Sequence, residues 1–139
     1  MAVAGSLYTH LQPFEAQRYL DETARVLRPG GRFVGTWFLI NDEAEAALAA
    51  GKVLRPGLFS QSKPPLRLEF HLTDERGNPF RSLDPETPEY MIAVDEDQVR
   101  EAYERAGLRI VETRYGHWAG RSGENLHGQD VVIAERPLA

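Results

Sequence analysis

The stretch that most limits what this chain can become is "HLQPFEAQRYLDETARVLRPGGRFVGTWFLI", residues 10–40. It spells a helix, a breaker and a strand in succession. Pro13 suits a first helical turn, where its missing N–H leaves no bond unmade. Ala16, Tyr19, Leu20, Thr23, Ala24 and Leu27 recur at helical spacing and give one face to bury, so the pattern predicts a helix over 13–28. Arg25 and Arg28 fall in its last turn, where cations meet the negative end of the dipole. Pro29 forbids continuation, and Gly30-Gly31 permit a sharp reversal. "RFVGTWFLI", residues 32–40, then reads as one strand, apolar on both sides in its later part, as in a sheet covered by helices on each face. A buried central strand straight after a helix marks an α/β domain.

The rest of the chain extends that pattern. "DEAEAALAAG" predicts a short helix ending at Gly51, and "PGLFSQSKPP" a loop. "LRLEFHL" alternates, with Leu66, Leu68, Phe70 and Leu72 on one face and Arg67, Glu69 and His71 on the other, which predicts a half-exposed strand. "DERGNP" offers a turn, and Phe80 begins a candidate partner strand. Residues 41–89 are too long for a simple connection and are expected to form a cap. A helix is predicted over 95–106, with Asp95 as N-cap, Gln98 in the reciprocal position of a capping box, and Gly107 closing it. Residues 108–115 and 129–136 read as strands, joined by the glycine-rich loop "GHWAGRSGENLHG".

The 139 residues suit one domain with one core. A formal net charge of −5, from 16 Lys+Arg against 21 Asp+Glu, supplies no basic stripe, so nucleic acid is not an expected partner. Arg100-Glu101 and Glu104-Arg105 read as a solvated helix face. The absence of cysteine excludes disulfides, thiolate metal sites and a cysteine nucleophile. No apolar run approaches the roughly 18 residues of a membrane helix, and no secretory signal opens the sequence, so the expected compartment is the cytoplasm. The histidines at 10, 71, 117 and 127 lack paired metal-ligand spacing. Asp84, Glu86 and Glu89 read as a solvated turn.

Four of these words in this order resemble the C-terminal half of a class I S-adenosylmethionine-dependent methyltransferase. "SLYTHL" is similar to the Ser-x-x-x-His-Leu turn after that family's fourth strand. "YLDETARVLRPGGRFVGTWF" is similar to its next helix and fifth strand, and "VREAYERAGL" and "QDVVIAERP" to its final helix and last strand. The likeness covers residues 6–40 and 90–137. It implies a Rossmann-like sheet whose last strand runs antiparallel between the fifth and sixth, in a single truncated domain over 1–139 that lacks the N-terminal cofactor-binding strands. The family's Gly-x-Gly-x-Gly turn, which cradles the cofactor, has no counterpart here. Gly30-Gly31 precede a strand, whereas a cradle follows one and opens a helix.

The resemblance further implies that residues 6–11, the insertion and residues 116–128 emerge at the carboxyl edge of the parallel strands, where an acceptor would bind. His10 is the candidate general base, Ser6 a candidate contact to S-adenosylmethionine, and Tyr8, His117, Trp118 and Arg121 candidate contacts to a small-molecule acceptor. Binding of S-adenosylmethionine by this chain alone is not expected. Trp37 and Phe38 read as core or pocket floor. With only "MAVAG" to cover strand 32–40, an open apolar edge is expected, and with it a homodimer or a partner chain joined across that edge. The expected function is the substrate-side half of a small-molecule methyltransferase, inactive alone. The alternatives are a non-catalytic binding domain, or one half of a split enzyme.

Overall fold

The computed structural model describes residues 1–50, 68–120 and 128–138. In chain order it comprises β1 (Ala2–Ala4), a 3-10 turn (Tyr8–His10), α1 (Pro13–Val26), β2 (Arg32–Trp37), β3 (Leu39–Ile40) and α2 (Asp42–Ala49). There follow β4 (Phe70–Thr73), β5 (Pro79–Ser82), a second 3-10 turn (Pro88–Tyr90), β6 (Ile92–Asp95), α3 (Glu96–Arg105), β7 (Arg109–Arg114) and β8 (Asp130–Glu135). The strands form two sheets, ordered β1-β2-β8-β7 and β3-β6-β5-β4. In the first, β1 lies parallel to β2, and β8 runs antiparallel to both β2 and β7. The reversed final strand therefore sits inside the sheet, in the order the sequence resemblance implies.

The local chemistry explains the helices. Gln12 caps α1 in a reciprocal box: its N–H donates to the Glu15 carboxylate at 2.9 Å, and its side chain accepts from the Glu15 N–H. α1 stops at Val26, short of the expected Arg28, because Leu27 already turns extended. Its last carbonyls are not orphaned. Arg136, just past β8, donates through Nη1 to the carbonyls of Ala24, Arg25 and Leu27 at 2.9, 3.3 and 2.6 Å. In α3 the Asp95 carboxylate accepts from the N–H groups of Asp97 and Gln98, and Gly107, at φ +77°, ends the helix in the left-handed region.

Three expectations need correction. Residues 32–40 are not one strand. The run breaks at Phe38, β2 stays in the first sheet, and β3 pairs in parallel with β6 in the second. The cause is Asp130 at the start of β8. Its Oδ2 accepts the Leu39 N–H at 2.7 Å, taking the donor that a continuing ladder would use, while the Phe38 carbonyl accepts from Val94.

The edge of β2 is also not bare. Ala2, Val3 and Ala4 pair with Phe33, Val34 and Gly35, so the open edge is the outer side of β1. Finally, β4 begins at Phe70, and the alternation of "LRLEFHL" does not carry through. Leu68 is buried ahead of the strand and Phe70 is 43% exposed, while Leu66 and Arg67 lie outside the described residues.

One core lies between the first sheet and the pair α1/α3, built from Leu20, Phe33, Trp37, Val99, Tyr103 and Val132. Gly35 leaves little room there for a side chain. A Cβ would stand 3.0 Å from the Tyr103 hydroxyl and 3.2 Å from the Phe33 ring. A second cluster gathers Phe38, Ile40, Ala44, Met91 and Trp118 around the bend. The opposite face of the first sheet is different. Val3 (65% exposed) and Val111 (40%) are open there, and Val34, Val131 and Ile133 are half-buried. No described helix covers them.

Candidate functional site

The carboxyl edge of β1, β2 and β7 is where the chain's loops meet. Asp130, fully buried, organises this edge. Besides the Leu39 N–H it accepts the Gly116 N–H and the Trp118 indole N–H, each at 2.7 Å. One carboxylate thus fixes both the bend after β2 and the loop after β7, and charge-assisted bonds of this kind hold a buried anion in place. Gly116 admits this approach only as glycine, since a Cβ would stand 2.4 Å from the Gln129 carbonyl oxygen. Trp118 also packs on Phe38, ring centroids 5.2 Å apart.

Beside this edge lies a cavity of about 270 Å³ between the N-terminal part of α1 and the length of α3 from Gln98 to Arg105, roofed by the β4–β5 turn. Its floor is apolar: Trp37, Val94 and Val99 are each no more than 3% exposed. Its mouth carries Arg76, Gln98 and Arg105. The roof is fastened by Asp74, which is 6% exposed. Its carboxylate accepts the Phe14 N–H of α1 at 2.9 Å, the Arg76 and Asn78 N–H groups at 2.9 Å each, and the Asn78 amide. Burial pushes this carboxyl up, but the bonds from Asn78, Arg76 and Phe14 outweigh it and hold the group below the usual aspartate range.

A second polar cluster joins α3 to the bend. Glu96 accepts from Asn41 Nδ2 at 3.1 Å, from Arg100 at 2.8 Å and from the Tyr115 hydroxyl. Burial acts to raise the Glu96 carboxyl, yet those three donors bring it below its ordinary value. Burial and the carboxylate raise Tyr115. An ionised Glu96 held this way braces β3, α3 and the end of β7.

The residues singled out in the sequence divide sharply. Ser6 is exposed at φ +53°. Its N–H donates to Thr36 Oγ1 and its hydroxyl accepts from Gln129, both at 2.8 Å, so it joins the turn after β1 to the start of β8. His10 is exposed, and its Nδ1 lies 2.9 Å from the Glu89 carbonyl. A carbonyl only accepts, so Nδ1 is the donor in this bond. His10 does not line the cavity. Tyr8 is 1% exposed and stacks on Trp37 at 4.3 Å, in the core rather than on a pocket wall.

Trp118 is fully buried on Asp130, and His117 is exposed beside it. Arg121 and His127 lie outside the described residues, and His71 is exposed on β4. The structure thus brings Ser6, Trp118 and the bend to one edge, but none of the described candidate site residues lines the cavity, whereas Trp37, read as core or pocket floor, does.

Sequence reasoning missed Asp74, Asp130, Arg76 and Arg105. Only Arg105 left a signal. Gln98, Ala102 and Arg105 recur at i, i+4, i+7 and so share a stripe beside the buried one.

The described residues do not fit a whole S-adenosylmethionine. The turn out of β1 leads into a 3-10 turn, its Ser6 N–H is taken by Thr36, and a Cβ on Gly5 would meet nothing within 4 Å, so no close approach demands a glycine there. Among the described residues, no group of His, Asp and Glu is placed to hold a metal. No helix among them is long and apolar enough to cross a membrane.

No family model matches the sequence. The fold does match solved structures. A SAM-dependent methyltransferase from Methanosarcina mazei aligns with 99% of this chain and 58% of its own length, at 23% identity and a TM-score of 0.53. An S-adenosylmethionine-dependent methyltransferase from Clostridium acetobutylicum aligns with 97% of this chain and 57% of its own, at 10% identity and a TM-score of 0.51. The glycopeptide N-methyltransferase MtfA complexed with sinefungin aligns with 97% and 52%, at 16% identity and a TM-score of 0.50. The chain spans a little over half the length of the structures it matches.

Proposed function

We propose, for a chain with the fold of the C-terminal half of a class I S-adenosylmethionine-dependent methyltransferase, that it supplies the acceptor side of a small-molecule methyltransferase and does not bind the methyl donor alone. One observation carries this reading. The sheet places β8 reversed between β2 and β7, and a cavity opens at the carboxyl edge of β2, where ligands of open α/β sheets bind. Neither the open side of β1 nor the Val3–Val34–Ile133 face is covered by any described element. A cofactor-binding portion docks there in this reading, as further residues of a longer chain or as a separate polypeptide, and in its absence the same apolar edge pairs with a second copy of the chain.

His10 lies outside that cavity, so it is the candidate proton acceptor only for a group of the acceptor that reaches beyond it. With Nδ1 held by Glu89, Nε2 of the neutral ring is free to take a proton from a hydroxyl or ammonium acceptor brought against it. Methyl transfer needs mainly alignment, so the chain's own contribution is to position the acceptor and keep water from it. A second reading, a binding domain that methylates nothing, is favoured by the taken Ser6 N–H and the missing glycine cradle. The two part company experimentally. Calorimetric titration of the purified chain with S-adenosylhomocysteine gives no heat of binding on either reading, and tight binding would refute both. Light scattering at micromolar concentration gives more than one chain's mass if the open edge is an assembly site, whereas a stable monomer favours the binding domain.

A further inference from the structure

The cavity between α1 and α3 has a chemistry of its own. At about 270 Å³ it falls just below the usual range of ligand sites, roughly 300–1,000 Å³, so it suits only a small ligand. Its floor of Trp37, Val94 and Val99 is dry and aliphatic-aromatic. Two guanidinium groups stand at its mouth, one from the β4–β5 turn and one from the last turn of α3. Arg76 makes no ion pair among the described residues and rests over the Phe14 ring at 5.9 Å. Arg105 donates through Nε to Gln17 at 3.2 Å, and its Nη1 is 3.7 Å from Glu101 on an exposed helix face, a pair worth little in water.

The nearby acid is already engaged. Asp74 gives its oxygens to Phe14, Arg76 and Asn78. The first turn of α1 borders the cavity and adds the positive end of its dipole, whereas α3 runs along the cavity from Gln98 to its last residue, Arg105. Apolar below and cationic above is the arrangement that selects an organic acid: planar guanidinium groups take a carboxylate with paired donors, and the body of the ligand replaces water on the indole.

We infer that this cavity binds a small organic carboxylate, with the acid group between Arg76 and Arg105 and an apolar body against Trp37. The inference rests on reading this cavity as the acceptor site, and it narrows the acceptor to an acid.

The test uses the whole chain and phenylacetate, followed by the indole ¹⁵N–¹H NMR signal of Trp37, with 2-phenylethanol, phenethylamine and inorganic phosphate as comparison probes. Phenylacetate is expected to shift that signal saturably, with 2-phenylethanol roughly tenfold weaker and the amine weaker still. The R76Q/R105Q variant, altered only at exposed side chains, should keep the wild-type melting temperature and lose the preference for acid over alcohol. Three outcomes overturn the proposal: no saturable shift with phenylacetate, equal response to acid and amine, or an unchanged preference in the variant. Inorganic phosphate binding as well as phenylacetate would equally overturn it, since a bare anion site needs no indole. No methyl donor is present, so the result stands apart from the S-adenosylhomocysteine titration.

Discussion

The two faces of the first sheet live in different surroundings. On one, Phe33, Trp37, Val132 and Ala134 are sealed beneath α1 and α3. On the other, Val3, Val34, Val131 and Ile133 form an aliphatic patch that is half-open. β1, β2 and β8 are apolar on this face as well, at Val3, Val34, Val131 and Ile133, as in sheets covered twice, whereas β7 alternates and sets Glu112 and Arg114 opposite Ile133 and Val131. The aliphatic part of the face therefore belongs to β1, β2 and β8, and β7 is its polar margin. Contiguous exposed aliphatic surface of this kind marks an interaction site more often than a solvated wall.

The comparison can be broken at its strongest point first. Leu20 of α1 is completely buried on the covered face. Leu20→Ala should cost about 2–5 kcal/mol in urea unfolding, and a loss below about 1 kcal/mol would mean that this face is not the sealed one. Gly35 tests the same face from the sheet side. Gly35→Ala drives a methyl toward Tyr103 and Phe33 and should cost about 1–3 kcal/mol.

Acid titration sharpens the role of the roof over α1. The Asp74 carboxyl is held below its ordinary value in the fold. Its contribution is therefore complete above the unfolded value, about 3.9, and is lost as pH falls through the lower folded value. Glu96 acts in the same direction. Melting temperature should fall below about pH 4 in the parent chain, and Asp74→Asn, less stable at neutral pH, should show a shallower acid slope. The smallest effect belongs to the open face. Ile133→Thr should change stability of the isolated chain by no more than about 1 kcal/mol, yet lower the mass seen by light scattering if that face is an assembly surface. A large loss of stability without change in mass would show the face to be core.

The same contrast explains what the sequence revealed. Periodic elements that bury one face were legible: α1 from Pro13 and its apolar spacing, α3 from the Asp95 cap and Gly107, and the final hairpin. Their signals are local and agree with their surroundings. The break at Phe38 was not legible, because its cause, the Asp130 carboxylate, arrives from 91 positions away. The cavity was hidden for a similar reason. Asp74, Arg76 and Arg105 look like solvated turn and helix residues until the fold carries the β4–β5 turn over the first turn of α1. Tyr8 and Trp118, aromatic residues in loops beside candidate chemistry, proved to be core anchors, since large rings are buried wherever a partner for their polar atom can be found.

The position of β8 has a consequence for how the molecule is made. It fills the slot between β2 and β7, with Glu135 opposite Arg32 and Asp130 opposite Trp37, and it is synthesised after every other strand described here. Until it arrives, β2 and β7 have no shared neighbour, and the last carbonyls of α1 wait for Arg136. Closing so long a loop is a slow, late event in folding. Nascent chains that end before residue 130 should therefore be strongly retained by chaperones, and protease resistance should appear abruptly once β8 has cleared the ribosome.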